Sequence, residues 1–378
     1  MKFVHLSDLH LGKRVNEFSM LEDQRYILLR ILQIIGDERP DAVIIAGDVY
    51  DKSIPPAEAV TLFDEFLVRL AGMKQQVFVI SGNHDSAERI AFGGRLMDAS
   101  GIHMAPVFSG RTDPFVMNDK YGEIRIYMLP FIKPTDVRHA YPGENADTYT
   151  EALHTAISHM NVDPSVRNIL AAHQFVTGAA RSESEDVSVG GMDNVDVSVF
   201  GMFDYVALGH IHGPQHISRE TIRYCGTPLK YSFSEKDHQK SVTIVTMEGK
   251  GKTEIRTVPL EPLHDMREIR GTYNELTLKA NYEGTATDDY LHVILTDEDD
   301  VPDALTRLRT VYPNIMKLDY DNTRTRNTGC MTISEEIKQK SEIELFELFY
   351  EKQNGRRMSE EQRQFSEHLL EKIREEMR

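Results

Sequence analysis

Six short apolar runs punctuate the first 210 residues, at 2–6, 42–46, 77–80, 124–129, 169–172 and 205–208. Runs of this length, bounded by Gly, Asn or Asp, predict buried strands. Longer segments with a different period separate them. Between the first two runs, Leu21, Ile27, Leu28, Ile31, Leu32 and Ile35 form one apolar stripe, which predicts a helix over 20–35. A second helix starts near Pro55-Pro56, with proline at its first turn and an apolar set of Ala59, Val60, Leu62, Phe63, Phe66, Leu67 and Leu70. Both stripes read as core packing. After Gly209 the helical pattern stops, and 222–224, 241–247 and 253–258 predict an antiparallel run that closes the domain. Alternation of strand and helix predicts an α/β fold with two packed sheets flanked by helices.

Two prolines in 259–264 mark a linker. Beyond it, strand-like segments at 268–279, 290–295 and 315–318, with a short helix over 303–310, predict a small α+β domain. The chain then predicts a helical hairpin. Ser341 with Glu344 forms one capping box ahead of Leu345, Phe346, Leu348 and Phe349, and Gly355 suits a helix stop. Ser359 with Gln362 forms a second, followed by Phe365, Leu369, Ile373 and Met377 at four-residue intervals. A hairpin this short cannot bury both stripes by itself. The expected domains are therefore 1–260, 265–335 and 338–378. The hairpin docks either on its own chain or, as is preferred, on a partner.

Chemistry collects where the apolar runs stop. Asp8-Leu9-His10 follows the first, Gly47-Asp48 the second and Gly82-Asn83-His84-Asp85 the third. His173 ends the run at 169–172, and Gly209-His210-Ile211-His212 follows the run at 205–208. Alone, each says little, since a Gly-Asp after a strand is a turn by default and a lone His is a core or surface residue as readily as a ligand. Together, five strand ends deliver Asp, His, Asp, Asn and further histidines to the edge where ligands bind in α/β sheets. That donor set is large enough for two divalent metals.

Length and charge narrow the picture further. At 378 residues the chain is too long for one ordinary core. No stretch of 18 apolar residues predicts a membrane span, and the start of the chain has no signal-peptide profile. Cys225 and Cys330 show no zinc or redox spacing, so both are expected to be reduced and structural, as in a cytoplasmic protein. The net charge of −17 argues against binding nucleic acid through overall charge. It leaves room for a local basic surface, for which Lys13, Arg14, Arg89, Arg95 and Lys230 are the candidates. The acidic run Asp297-Glu298-Asp299-Asp300 predicts a solvated loop.

In order, D-x-H, G-D, G-N-H-D, a lone H and G-H-x-H resemble the signature of the calcineurin-like metallophosphoesterases. Two longer strings sharpen the likeness. They are Gly47-Asp48-Val49-Tyr50-Asp51 followed by Pro55-Pro56, and Gly226-Thr227-Pro228-Leu229-Lys230-Tyr231-Ser232-Phe233-Ser234-Glu235. Both resemble the nuclease subunits of bacterial SbcCD-type complexes, and the resemblance covers nearly the whole chain. It implies that Asp8, His10, Asp48 and His212 hold one metal, and that Asp48, Asn83, His173 and His210 hold a second, with Asp48 bridging. Oxygen and imidazole ligands suit manganese or iron better than a metal that prefers thiolate. His84 would donate a proton or stabilise the transition state, with a structural role as the alternative. Asp85 would orient His84. Distant relatives often carry histidine where this chain has Asp51.

The resemblance further implies a manganese-dependent DNA exonuclease and endonuclease, active on duplex ends, hairpins and single strands in repair and recombination. Its expected partners are DNA and an SbcC-type ATPase docked on 338–378, with a homodimer of the nuclease domain inside a heterotetramer. No phosphate-binding G-x-x-x-x-G-K-[ST] occurs, so ATP would belong to the partner. A stand-alone metallophosphatase or cyclic-nucleotide phosphodiesterase is the alternative, favoured by the overall acidity and disfavoured by the second domain and the hairpin.

Overall fold

The computed structural model describes residues 1–185, 193–326, 342–354 and 356–376. Within these, the chain divides into two compact units, Met1–Asp265 and Met266–Arg378.

Unit one is built on two six-stranded sheets. The first has the order Thr253–Pro259, Ser241–Met247, Lys2–Leu6, Ala42–Ala46, Gln76–Ile80, Ile102–Ala105. The second has the order Gln215–Ile217, Arg219–Tyr224, Tyr205–Gly209, Arg167–His173, Gly122–Leu129, Phe115–Asp119. In each, the central strands run parallel. Side chains alternate along every one, as the two-residue period requires. Ala42, Ile44 and Ala46 of the first sheet share one core with Ile169, Ala171, Tyr205 and Ala207 of the second. Leu170, Ala172, Val206 and Leu208 point the other way, onto Val137, Leu153, Ala156 and Ile157 of the helices Pro134–Ala140 and Tyr149–Ser158. Helices Leu21–Glu38 and Ala57–Gly72 bury the expected stripes, including Ile31, Ile35, Phe66 and Leu70, and pack on each other. This is the expected α/β arrangement of two packed sheets with helices outside.

Four details differ from the sequence reading. Arg219–Tyr224 joins the second sheet parallel to Tyr205–Gly209, so only Ser241–Met247 and Thr253–Pro259 form an antiparallel closing pair. Pro56 is the N-cap of its helix rather than part of the first turn, and Val60 is 44% exposed. The strand expected over 268–279 ends at Gly271, because a Thr272–Glu275 capping box starts the short helix Tyr273–Thr277. Finally, the acidic run is put to use: Asp297 accepts the Tyr273 N–H, Glu298 accepts the Thr323 N–H, and Asp300 pairs with Arg324.

Unit two holds a three-stranded parallel sheet of Met266–Gly271, Tyr290–Leu295 and Ile315–Tyr320. One face packs Leu291, Val293 and Leu295 onto Ala304 and Leu308 of the helix Ala304–Leu308. Helices Glu342–Asn354 and Glu360–Glu376 follow and contact each other. The Ser359–Gln362 capping box is present in both directions. Phe346, Phe349, Phe365 and Leu369 are 42%, 45%, 69% and 47% exposed. Ser341, Gly355, Met377, the Ile373 side chain and Cys330 lie outside the described residues. Cys225 is buried. Among the described residues, no helix is long and apolar enough to cross a membrane.

Ile44 is fully buried in the shared core. Ile44→Ala is expected to destabilise the protein by about 2–5 kcal/mol, the range for deleting a buried aliphatic side chain, as measured by urea unfolding.

Candidate metal centre

The parallel strands of both sheets end on the same edge of unit one, and the residues of the strand-end motifs converge there. Two turns carry the first pair of acids. Asp8, His10 and Asp48 have φ of 53°, 44° and 48°, the left-handed region, and His210 has φ 102°. Such backbone costs about 1–3 kcal/mol per residue and persists only where surrounding contacts fix it. Here they do. The Asp8, His10 and Leu11 amides donate to the carbonyls of Gly47, Asp48 and Val49 at 3.0, 3.0 and 2.9 Å, so the two turns stay laddered past the end of their strands. Tyr231 Oη donates to Leu9 O at 2.6 Å, and Gln24 Nε2 donates to His10 O at 2.8 Å. Asp85 accepts three backbone amides, those of Gly82, Tyr50 and Val49, at 2.9, 2.9 and 3.1 Å. It therefore clamps the Asp48 loop to the Asn83 loop.

The donor atoms face one another. His10 Nε2 lies 3.1 Å from His212 Nε2 and 3.7 Å from Asp48 Oδ2. His173 Nε2 lies 3.3 Å from Asp48 Oδ2 and 3.1 Å from Asn83 Oδ1, which also meets His210 Nδ1 at 2.9 Å. Asp8, His10 and His212 each offer a ligand atom within 4.8 Å of the others; so do Asp8, Asp48 and His173, and so do His10, Asp48 and His84. Asp8, His10, Asp48, His173 and His212 are all buried.

This arrangement fits cations. His173 Nδ1 sits 2.8 Å from the Ala46 carbonyl and must donate to it. A neutral ring then turns its Nε2 lone pair toward the oxygens of Asp48 and Asn83. Lone pairs crowd together without a positive charge between them, which a divalent ion would supply. The electrostatics agree. Burial pushes the Asp8 carboxyl up. Burial pushes His10 and His210 down, His210 to about 3, so both rings are neutral and ready to ligate. Burial also opposes charge on Asp48 and His173, but their mutual attraction wins: Asp48 falls below the usual carboxylate range, and His173 rises to about 9. Without metal, then, a proton on His173 is the counter-charge Asp48 finds.

His84 differs from its neighbours. Its side chain is 19% exposed, against 1% for His10 and 0% for His173. Nδ1 donates to the Asp51 carbonyl at 3.1 Å, and Nε2 lies 4.0 Å from Asp48 Oδ2. Asp51 has Oδ1 3.7 Å from His10 Nδ1 and pairs with Lys13 Nζ at 2.7 Å.

Of the basic candidates, Lys13 is therefore engaged, and Lys230 pairs with Asp265 at 2.8 Å. Arg14, Arg89 and Arg95 are exposed. Residues the sequence reading gave no role surround His212. Glu185 Oε1 accepts its N–H at 2.7 Å, while Ser184, Glu235 and Lys240 bracket its ring and carbonyl. Glu235 closes the string that carried the resemblance, which was the one available signal.

A family model described as calcineurin-like phosphoesterase matches residues 1–214, and the fold and the cluster are those of this class of metal-dependent phosphodiesterases. A second model, described as the type 5 capsule protein repressor C-terminal domain, matches residues 262–354. SbcD, the nuclease of SbcCD, from Staphylococcus epidermidis is 32% identical over 98% of this chain and 98% of its own length. The protein of the same name from Staphylococcus saprophyticus is 31% identical over 100% of this chain and 99% of its own length. The chain thus belongs to the SbcD family of SbcCD nucleases. Among solved structures, an archaeal phosphodiesterase aligns with 68% of this chain and 100% of its own at 14% identity, with a TM-score of 0.32, too low to carry an argument.

Asp85→Ala would orphan three amides, each worth about 1–3 kcal/mol when buried without a partner. It is expected to lower thermal stability by at least about 2 kcal/mol. Asp85→Asn, which keeps one acceptor oxygen, should lose less in the same calorimetric comparison.

Proposed function

We propose that the chain is a manganese-dependent DNA nuclease that hydrolyses phosphodiesters with two metals, as the catalytic subunit of an ATP-regulated complex. The observation that carries this reading is the convergence of oxygen and nitrogen donors around Asp48 from the ends of both sheets. Asp8, His10, Asp48 and His212 hold one ion; Asp48, Asn83, His173 and His210 hold the other. Bound there, the ions supply an activated water and stabilise charge on the phosphoryl oxygens.

The chain's own groups do the rest. Asp48 fixes the spacing of the two positions. His84 keeps one proton on Nδ1 against the Asp51 carbonyl. Nε2 is thereby the ring atom that acts on the substrate: carrying a second proton, as in the imidazolium, it protonates the leaving oxygen or stabilises the charge developing there. Substrate phosphates are met by the exposed Arg14 and Arg89; Lys13 and Lys230 are already held by Asp51 and Asp265. Location in the cytoplasm, with the nucleoid as the working site, follows from a DNA substrate.

Partners come into the reading through exposed apolar side chains. Phe346, Phe349, Phe365 and Leu369 on the two final helices are the surface on which the SbcC-type ATPase docks. Phe92 and Leu96, 86% and 83% exposed in the segment beyond Asn83, are the surface for a homodimer of the nuclease domain. Both fit a heterotetramer.

The test of the whole reading is the purified chain with manganese, offered linear duplex, hairpin DNA and a small chromogenic phosphodiester. Cleavage of both DNAs supports it. Cleavage of the small ester alone favours a stand-alone metallophosphatase or cyclic-nucleotide phosphodiesterase. His84→Ser is expected to slow cleavage by about 10²–10⁴, the span of general acid–base assistance, with both manganese ions retained by elemental analysis. Near-normal rates would return His84 to a structural role.

Replacing Phe365 and Leu369 with Asp is expected to abolish co-purification with the ATPase, because unpaired charge buried in a contact costs several kcal/mol, roughly 3–5. Manganese-dependent cleavage of short single strands should be unaffected. Stoichiometric co-purification of this variant would remove the docking assignment.

A further inference from the structure

His212 is held at three points by buried charge. Its N–H donates to Glu185 Oε1 at 2.7 Å, and its carbonyl accepts from Lys240 Nζ at 2.9 Å. Its ring Nδ1 lies 2.7 Å from Ser184 Oγ and 3.4 Å from Glu235 Oε1. None of these partners belongs to the donor cluster itself.

The proton on each atom follows from counting donors. Glu235 is fully buried and lies 2.5 Å from Lys240 Nζ, which is 4% exposed. As a carboxylate it can only accept. Ser184 Oγ contacts Glu235 Oε1 and so gives its single proton there. What remains on Oγ is a lone pair, so His212 Nδ1 must donate to it. A neutral imidazole with its proton on Nδ1 carries its lone pair on Nε2. That atom is the one 3.1 Å from His10 Nε2, in the cluster with Asp8.

Lys240 completes the device. An ammonium has three N–H donors, and all three are occupied, by Glu235 Oε2 at 2.5 Å, Thr227 Oγ1 at 2.7 Å and the His212 carbonyl at 2.9 Å. Thr227 Oγ1 in turn donates to Leu229 O at 2.6 Å, which fixes its orientation. One buried ammonium therefore holds the His212 backbone directly and its ring through two relays.

We propose that Lys240 and Glu235 are positioning residues that, through Ser184, fix the ring proton of His212 on Nδ1 and commit Nε2 to the cation shared with Asp8 and His10. The cation part rests on the metal reading above. The placement of the proton is a property of the chain alone. A pair that served only to staple the fold would change stability and leave both the tautomer and the metal affinity where they were.

Two variants separate these cases in the full chain. Ser184→Ala cuts the relay and changes no charge. Glu235→Gln alone would strand the Lys240 charge, so it is combined with Lys240→Met, a neutral replacement of the kind that buried ion pairs tolerate. ¹⁵N-histidine NMR of the metal-free protein reads the tautomer, and calorimetric titration with manganese reads affinity. The wild type is expected to show Nδ1–H at His212, and both variants a shift toward Nε2–H. In the variants, one of the two manganese sites should weaken by about 10–100-fold, the usual effect of losing a partner behind a ligand, with the other unchanged. Variants that keep the Nδ1 tautomer and bind manganese like the wild type overturn the proposal, whatever their melting temperature. If the double variant does not fold, Ser184→Ala decides alone. If the wild type takes up no manganese, the metal reading falls, and the metal-free tautomer comparison still decides the placement of the proton.

Discussion

The centre depends on bringing one carboxylate, Asp48, into the seam where two sheets end. Room for it is made by missing side chains. A Cβ on Gly82 would strike the Asp48 carboxylate, one on Gly47 would strike the His173 ring, and one on Gly209 would strike both that ring and the Ala46 carbonyl. Each of these glycines stands immediately before a donor: Gly47 before Asp48, Gly82 before Asn83, Gly209 before His210. The repeated G-X pattern is thus a packing requirement. The sheets approach closely at their carboxyl ends, and the donors can share one small volume only if the preceding positions are empty.

Strained backbone belongs to the same constraint. Asp8, His10, Asp48 and His210 turn sharply as their strands end, which aims the side chains back over the sheet edge. The cost is met by the laddered amides of the two turns, by Tyr231 and Gln24 on the Leu9 and His10 carbonyls, and by the three amides gathered on Asp85. Tyr231 and Gln24, from distant parts of the chain, therefore hold the turns through main-chain atoms, while the Tyr231 ring also packs edge-on against His10 and Phe131 stacks on His210. Their effect is to remove freedom from the turns, which is what a centre built from short, mostly unbranched side chains needs.

Most of the donor set was legible in the sequence because it is local. An apolar run that stops at Asp, Asn or His places that residue at a strand end, and five such stops imply one edge. The facing of the strands was not legible, because runs such as Ala42–Ala46 are apolar throughout; the shared core of Ala42, Ile44, Ile169 and Ala207 shows which side each residue takes. What else was not legible is non-local. Nothing in the spacing of Ser184, Glu185, Glu235 and Lys240 says that they enclose His212, because they arrive from separate segments, Glu235 from the 3-10 turn Phe233–Glu235, whose paths are set by tertiary packing. Likewise, Lys13 and Lys230 read as free surface cations until the fold brings Asp51 and Asp265 to them. The failed strand over 268–279 was a contest between period and capping, and the Thr272–Glu275 box prevailed.

The distribution of charge along the chain bears on how so acidic a protein can serve a polyanionic substrate. Part of the formal charge of −17 counts carboxylates that are not free to repel DNA. Asp8 and Asp48 are buried in the cluster, where bound dications would reverse their sign. Asp85, Glu185 and Glu235 point inward at amides, at His212 or at Lys240. Asp51, Asp265, Asp300 and Asp321 are matched by Lys13, Lys230, Arg324 and Arg270, pairs that already cancel within the net charge. On the proposed reading, the field a phosphate meets at the edge would be set by bound cations and by the exposed Arg14 and Arg89, not by the sum over the chain. Because exposed charges beyond about 8 Å are screened at physiological ionic strength, the remaining acidic surface governs solubility and non-specific approach. On the same reading, the metal edge would govern where a phosphodiester settles.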